Sequence, residues 1–148
     1  MTIYSKILLA VDLNADSISI GRRARDFAAL MGAELTVLHV VEFMPVEPVG
    51  ESMMPPVQLL DEFAAVARKR LVALCADIGV DAGHQLVEVG SVKAEIVRVA
   101  RAMHCDLIVL GARERHGLSI FVNLTEDTVL HAAPCDVLAV RVSGDQVP

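Results

Sequence analysis

The sequence predicts an α/β domain built on a parallel sheet, in which strands and helices alternate along the chain. Two short apolar runs, Leu107–Leu110 and Val137–Val140, are too short for globular helices and have the character of buried strands. The segment between them, Leu124–Ala133, suits a helix and is closed by Pro134, which cannot continue one. Strand, helix and strand in this order form a parallel crossover unit.

The earlier part of the chain repeats this alternation. Each predicted strand is a short apolar run. Each predicted helix carries apolar residues at spacings of three and four, which form one apolar face. In the second helix this predicted face includes Phe63. The polar content of the third strand places it at a sheet edge. In chain order these elements are strand Lys6–Val11, helix Asp16–Met31, strand Glu34–Val41, helix Val57–Gly79, strand His84–Val89 and helix Val92–Met103.

Composition supports this class and limits the function. The 148 residues suffice for one domain, and with 54% apolar but only 3% aromatic residues its core consists of Val, Leu, Ala and Ile. A net charge of −6 argues against a broad basic face for nucleic acid. No stretch of 18 continuous apolar residues occurs, so we expect no membrane span. The three widely spaced cysteines are typical of buried thiols in a reducing cytoplasm.

The connection Glu42–Pro56 is long for a compact domain and rich in proline and methionine. Such a loop is either a lid over a pocket or a surface for a partner, because methionine side chains adapt to irregular apolar surfaces. The sequence leaves both interpretations open.

The strands CDLIVLG and PCDVLAV, together with ILLAVDLNADS near the start, resemble the universal stress protein family over about residues 4–142. The resemblance implies a five-stranded parallel sheet of order 3-2-1-4-5 with helices on both faces, the Rossmann-like arrangement of the adenine nucleotide alpha hydrolase-like fold. The order reverses between the first and fourth strands, so a ligand would bind beyond their carboxyl ends, near Asp12 and Gly111.

In nucleotide-binding members of this family the loop after the fourth strand reads G-x2-G-x9-G-(S/T), and its glycines let backbone N–H groups approach phosphates. Gly111 matches the first glycine, but Glu114 occupies the second position and the third falls at Asn123 or Leu124. Glu114 would repel phosphates unless a metal or Arg113 intervenes. The chain thus lacks two of the three glycines. In this it resembles the universal stress protein A branch, which lacks the glycine motif.

Two further positions match the family's nucleotide crevice. Asp12 corresponds to the acid after the first strand, and Val41 to the end of the second strand, which contacts adenine in nucleotide-binding members. Asp12 is equally suited to capping the following helix, and Val41 to ordinary strand packing. Gly117 with Ser119 offers a different backbone nest. The candidate residues for a nucleotide, with ATP as the candidate cofactor, are Asp12, Val41, Gly111, Arg113, Gly117 and Asn123.

The remaining reactive side chains have simpler interpretations. His39 lies within an apolar strand and is predicted to be a hydrogen-bonded buried residue, and Cys135 is predicted to be buried. The run Arg68-Lys69-Arg70 is predicted to lie on a solvated helix face. His116 is the histidine nearest the crevice, although an exposed loop position explains it equally well. No H-E-x-x-H, C-x-x-C or G-x-S-x-G motif supports a metal or hydrolase site.

The last strand, Asp136–Val142, ends the sheet with an apolar edge that must be covered. In the family two such strands pair across a homodimer, so the resemblance implies the same here. Our first hypothesis is a cytoplasmic, non-enzymatic stress-response homodimer that binds an unidentified protein partner without robust ATP binding. The second is an adenine-nucleotide sensor, and the third is a slow nucleotidase. The missing glycines favour the first over the second.

Overall fold

The computed structural model describes residues 2–43, 57–113 and 125–142. Within these ranges five parallel strands form one sheet of order β3-β2-β1-β4-β5, which confirms the predicted order. The elements in chain order are β1 (Lys6–Ala10), α1 (Ser17–Met31), β2 (Glu34–Glu42), α2 (Val57–Ile78), a 3₁₀ turn (Ala82–His84), β3 (Gln85–Gly90), α3 (Val92–Ala102), β4 (Leu107–Arg113), α4 (Thr125–Ala132) and β5 (Asp136–Val142).

Helices cover both faces of the sheet, as predicted. On one face Leu9 of β1 and Val37 of β2 pack with residues of α1 and α2, which we call the first core. On the other face Leu8 of β1 and Ile108 of β4 pack with residues of α3 and α4, which we call the second core. Successive residues of a strand point to opposite faces, so the consecutive residues Ile7, Leu8 and Leu9 must all be apolar for β1 to be buried on both sides.

Two glycines shape the packing of α1. Gly32 ends the helix in the left-handed region at φ 65°, and its N–H contacts the carbonyls of Ala28 and Ala29. A Cβ atom at Gly21 would lie 3.0 Å from Cδ1 of Ile78, so the absence of a side chain there allows α1 and α2 to approach closely.

One part of the predicted core is wrong. Phe63 lies at helical spacing with the apolar residues of α2, yet it is 51% exposed. The face of α2 that contacts the sheet carries Ala64, Ala67, Leu71 and Ile78, all buried. Phe63 is one position before Ala64, which turns it about 100° around the helix and toward solvent.

Acidic residues hold the start of β1 in place. The Asp106 carboxylate accepts hydrogen bonds from the Ser5 N–H at 2.8 Å, the Ser5 hydroxyl at 2.9 Å and the Lys6 N–H at 3.0 Å. The Tyr4 hydroxyl donates to Asp136 at 2.9 Å. The acid that precedes β4 and the acid that opens β5 therefore both fix the segment that enters the central strand.

We expect Asp106→Ala to lower the free energy of unfolding by about 2 kcal/mol, since it removes three charge-assisted hydrogen bonds to the start of β1. Asp26→Ala is the matched control, because the Asp26 carboxylate is exposed and, among the described residues, pairs with Arg25 alone, so it should contribute less than about 1 kcal/mol. Urea unfolding measures both, and equal losses in the two variants would contradict the role of Asp106.

The stabilisation by the Asp106 carboxylate also depends on pH. Burial acts to raise the pKa of Asp106, but hydrogen bonds from Ser5 and Lys6 outweigh it and leave that pKa below its ordinary value. A lowered pKa in the folded state stabilises the fold above the unfolded pKa, and this stabilisation is lost as pH falls through the folded pKa. The difference between wild type and Asp106→Ala should therefore shrink below about pH 4.

Candidate functional site

A crevice opens where β1 and β4 separate at their carboxyl ends. Their pairing ends with Ala10 opposite Leu110. Beyond this point the Val11 N–H donates to the Leu38 carbonyl at 2.9 Å, so the chain stays with β2. The residues Gly111–Arg113 instead remain paired with β5. The two strands diverge at the reversal of strand order, which is the place where open α/β sheets bind ligands.

Gly111 does not open a loop, contrary to the prediction. It lies inside β4 opposite Val140, and β4 continues to Arg113 opposite Val142. The sequence predicts that the strand ends at Leu110, but β5 supplies a continuous ladder of hydrogen bonds that keeps Gly111 in the strand. A glycine at this position removes a side chain from the strand that lines one wall of the crevice.

The other wall is the segment Val11–Asn14 that follows β1, which we call the tip of β1. Side chains from two other elements hold this segment. His39 of β2 contacts the Val11 carbonyl through Nδ1 at 2.8 Å. Since a carbonyl only accepts, Nδ1 carries the proton. Arg70 of α2 donates to the Leu13 carbonyl. Leu13 adopts the left-handed region at φ 59°, an unfavourable conformation for this side chain that its buried contacts must offset.

Asn14, and not Asp12, organises the start of α1. The Asn14 Oδ1 atom accepts a hydrogen bond from the Asp16 N–H at 3.0 Å and one from the Ser17 hydroxyl at 3.3 Å. Asp12 is exposed at the tip of β1, and among the described residues its carboxylate has no hydrogen-bond or ion-pair partner. The carboxylate is therefore available to a ligand in the crevice.

The other candidate residues divide into two groups. Val41 is half-buried in β2, where it pairs with Val89 and packs against the first core. Arg113 is the last residue of β4. Gly117 and Asn123, like Glu114 and His116, lie outside the described residues. The structure thus brings the ends of β1 and β4 together, while Val41 lies one strand away on the side of α1 and α2.

The predicted histidine and cysteine roles are largely confirmed. His39 is hydrogen-bonded as expected, although only half-buried. Burial raises the pKa of the Cys75 thiol to about 11, and burial, with a smaller contribution from Cys135, raises that of Cys105 to about 11. Both thiols are therefore protonated and unreactive near neutral pH. Cys135, predicted to be buried, is only half-buried, and it lies just before the edge strand β5.

The run of three cations that contains Arg70 predicts a solvated helix face and does not predict the contact of Arg70 with the Leu13 carbonyl. Its position gives a signal: Arg70 follows Ala67 by three residues and precedes Leu74 by four, and both are buried. Arg70 therefore borders the inner face of α2, from which a long side chain reaches the tip of β1. In the described ranges, no group of three or more His, Cys, Asp or Glu residues could hold a metal ion.

The sheet order and the crevice define a Rossmann-like α/β protein whose crevice lies at the reversal of strand order. The model of the universal stress protein family matches residues 3–141. This chain therefore belongs to the universal stress protein family.

Two relatives agree with this assignment, and a solved structure agrees with the fold. Universal stress protein A homolog 1 of Coxiella burnetii (strain RSA 493 / Nine Mile phase I) is 38% identical over 138 residues, which cover 93% of this chain and 96% of that protein. Homolog 2 of the same organism is 34% identical over 143 residues, covering 95% and 97% respectively. A crystal structure of a universal stress protein in complex with cAMP matches with a TM-score of 0.64 at 20% identity, over 93% of this chain and 96% of that one.

None of the helices in the described residues has the length and apolar character needed to cross a membrane.

We expect Arg70→Met to loosen the tip of β1 while costing only about 1 kcal/mol of unfolding free energy, since one hydrogen bond is lost and the aliphatic stem is kept. The Ser17 amide, which donates to the Asn14 carbonyl at 3.1 Å, should exchange with solvent about fivefold faster. Arg68→Met on the exposed side of α2 is the control. Unchanged exchange at Ser17 would show that Arg70 does not hold this segment.

Proposed function

We propose that this universal stress protein is a cytoplasmic stress-response protein that acts as a non-enzymatic homodimer. In this proposal it pairs with its second copy through β5, binds a protein partner, and does not bind ATP tightly. The single observation that carries the proposal is the uncovered apolar edge of the sheet at β5.

The edge strand has partners on one side only. In the described part of the sheet β5 pairs with β4 and with no further strand. Leu138 lies opposite Val109, a residue of the first core, yet Leu138 is 37% exposed because α2 packs over β2 and β3, and α1 over β1, β2 and β4. On the other face Leu130 of α4 is 57% exposed. A second copy placed against this edge would remove both side chains and the open backbone from water.

Two features support the remaining parts of the proposal. The cysteines Cys75, Cys105 and Cys135 are free thiols, as expected in a reducing compartment. Burial raises the pKa values of all three thiols, so none is suited to be a nucleophile at neutral pH. The loss of two of the three phosphate-binding glycines weakens binding of a polyphosphate.

We expect Leu138→Lys to convert the dimer into a monomer, because a charge at the edge must be desolvated when two edges pair. Light scattering should give twice the 15.9 kDa chain mass for the wild type and the single mass for the variant. Leu30→Lys is the matched control, since Leu30 is 81% exposed on α1 and away from β5. A wild-type monomer at micromolar concentration would refute the dimer.

A second candidate function is binding of an adenine mononucleotide in the crevice between β1 and β4. It is favoured by the exposed Asp12 carboxylate at the tip of β1 and by the solved family member in complex with cAMP. A carboxylate suits the hydroxyl groups of a ribose, whereas the missing glycines matter most for a chain of phosphates. A ligand with one phosphate depends less on that glycine cradle than ATP does.

Calorimetric titration separates the two functions. We expect ATP with magnesium to give no saturable heat at micromolar concentrations, whereas a micromolar Kd would establish the nucleotide sensor. Titration with cAMP tests the mononucleotide directly. If cAMP binds, Asp12→Ala should weaken it by about tenfold, since hydrogen bonds to charged groups contribute the most. The variant Asp26→Ala, which removes a carboxylate from the exposed face of α1, should leave the affinity unchanged.

A further inference from the structure

A groove of about 640 Å³ runs along the outer side of α3, next to the end of α4. Four of the eight described residues that line it have small apolar side chains, which let a partner's backbone approach closely. The apolar residues lining the groove are Ala94, Val97 and Ala102 of α3 and Ala132 of α4. All but Val97, which is half-buried, are exposed.

Two cations lie at the ends of this groove. Lys93 and Arg101 both line it, and Val97 lies midway between them, at four residues from each. Spacings of four and eight residues share one face of a helix, so the two charges stand about 12 Å apart along α3. Among the described side chains, no carboxylate forms an ion pair with either cation. The groove thus concentrates positive charge in a chain whose net charge is −6.

The third cation of the groove, Arg98, is already neutralised. It contacts Glu95 at 2.6 Å and Glu88 of β3 at 3.5 Å. With one cation and two carboxylates, this ion-pair cluster gives the β3 side of the groove a net charge of −1 and no free positive charge. An anionic partner would therefore meet free positive charge at the two ends of the groove and an apolar surface between them.

Helix stability does not account for Lys93. It is the second residue of α3, where the positive end of the helix dipole disfavours a cation. Arg101, in the last turn, is at the end that favours a cation. The charge of Lys93 therefore opposes the helix dipole and does not stabilise α3 itself.

We propose that this groove docks an acidic amphipathic helix of a protein partner, which gives a location and a chemistry to the partner binding proposed above. The docked helix carries two acidic side chains about two turns apart, which pair with Lys93 and Arg101. Between them an apolar side chain packs on Val97 and the alanines. Nucleic acid would require a broader basic face, and a chain of net charge −6 is repelled by an anionic membrane.

The test uses full-length ¹⁵N-labelled protein and a synthetic helical peptide of about sixteen residues, the length at which isolated helices become stable. The peptide carries two Glu residues two turns apart with Leu and Ala between them, and the control peptide has Lys in place of Glu. We expect amide shifts confined to α3 and α4 with the acidic peptide, affinity that falls as salt is raised, and no binding of the control peptide.

Two variants test the two features of the groove. The double variant Lys93→Glu with Arg101→Glu reverses the charges, and Ala102→Trp fills the apolar surface. Each should lower the affinity for the acidic peptide by about tenfold or more. Arg22→Glu with Arg23→Glu is the matched control, because it makes the same change in net charge on exposed positions of α1, across the sheet. This control should bind the peptide as the wild type does.

Several results would overturn the proposal: equal binding of both peptides, wild-type affinity in the charge-reversed variant, or shifts located outside α3 and α4. Binding of phosphatidylglycerol vesicles through Lys93 and Arg101, in preference to the peptide, would assign the groove to membranes. Loss of the dimer in the charge-reversed variant would assign it to contact between copies. Light scattering of each variant distinguishes a wrong groove proposal from a wrong proposal of the β5 dimer. The Leu138→Lys variant should form monomers and still bind the peptide.

Discussion

The burial of β1 on both faces is the constraint on which the rest of the structure depends. A strand in the middle of a parallel sheet, with helices above and below, must have every backbone polar group paired. Within the sheet β2 and β4 provide these partners. At the two ends side chains take over: Asp106 holds the incoming Ser5 and Lys6, and His39 holds the outgoing Val11.

The crevice follows from the same constraint. After Ala10 the chain leaves β4 but stays attached to β2, and β4 continues beside β5. The gap between the ends of β1 and β4 exists because the chain after β1 forms its last hydrogen bond with β2, whereas the end of β4 pairs with β5 on the other side. Arg70 and the left-handed Leu13 then fix the tip, and Asp12 is left exposed beside the gap. A site of this kind is produced by strand order, and its selectivity depends on the few side chains at the two strand ends.

The surfaces that remain uncovered differ in chemistry, which suggests different partners. The β5 edge is apolar around Leu138 and suits a second copy with the same surface. The groove along α3 combines a small apolar surface with the cations Lys93 and Arg101, and suits a partner of opposite charge. A dimer that pairs through β5 would carry two such grooves, so a partner with two acidic helices could bind both at once.

The sequence by itself determined the strands, the helices and, through the family resemblance, the order of the sheet, because apolar runs and helical spacing are local patterns that burial enforces. It also indicated that His39 is a hydrogen-bonded strand residue. Tertiary structure alone decided that Gly111 continues β4, that Phe63 faces solvent, and that Arg70 holds the Leu13 carbonyl. Each of these depends on a partner distant in the chain: the ladder with β5, the rotation of α2 against the sheet, and the carbonyl that Arg70 reaches across 57 residues.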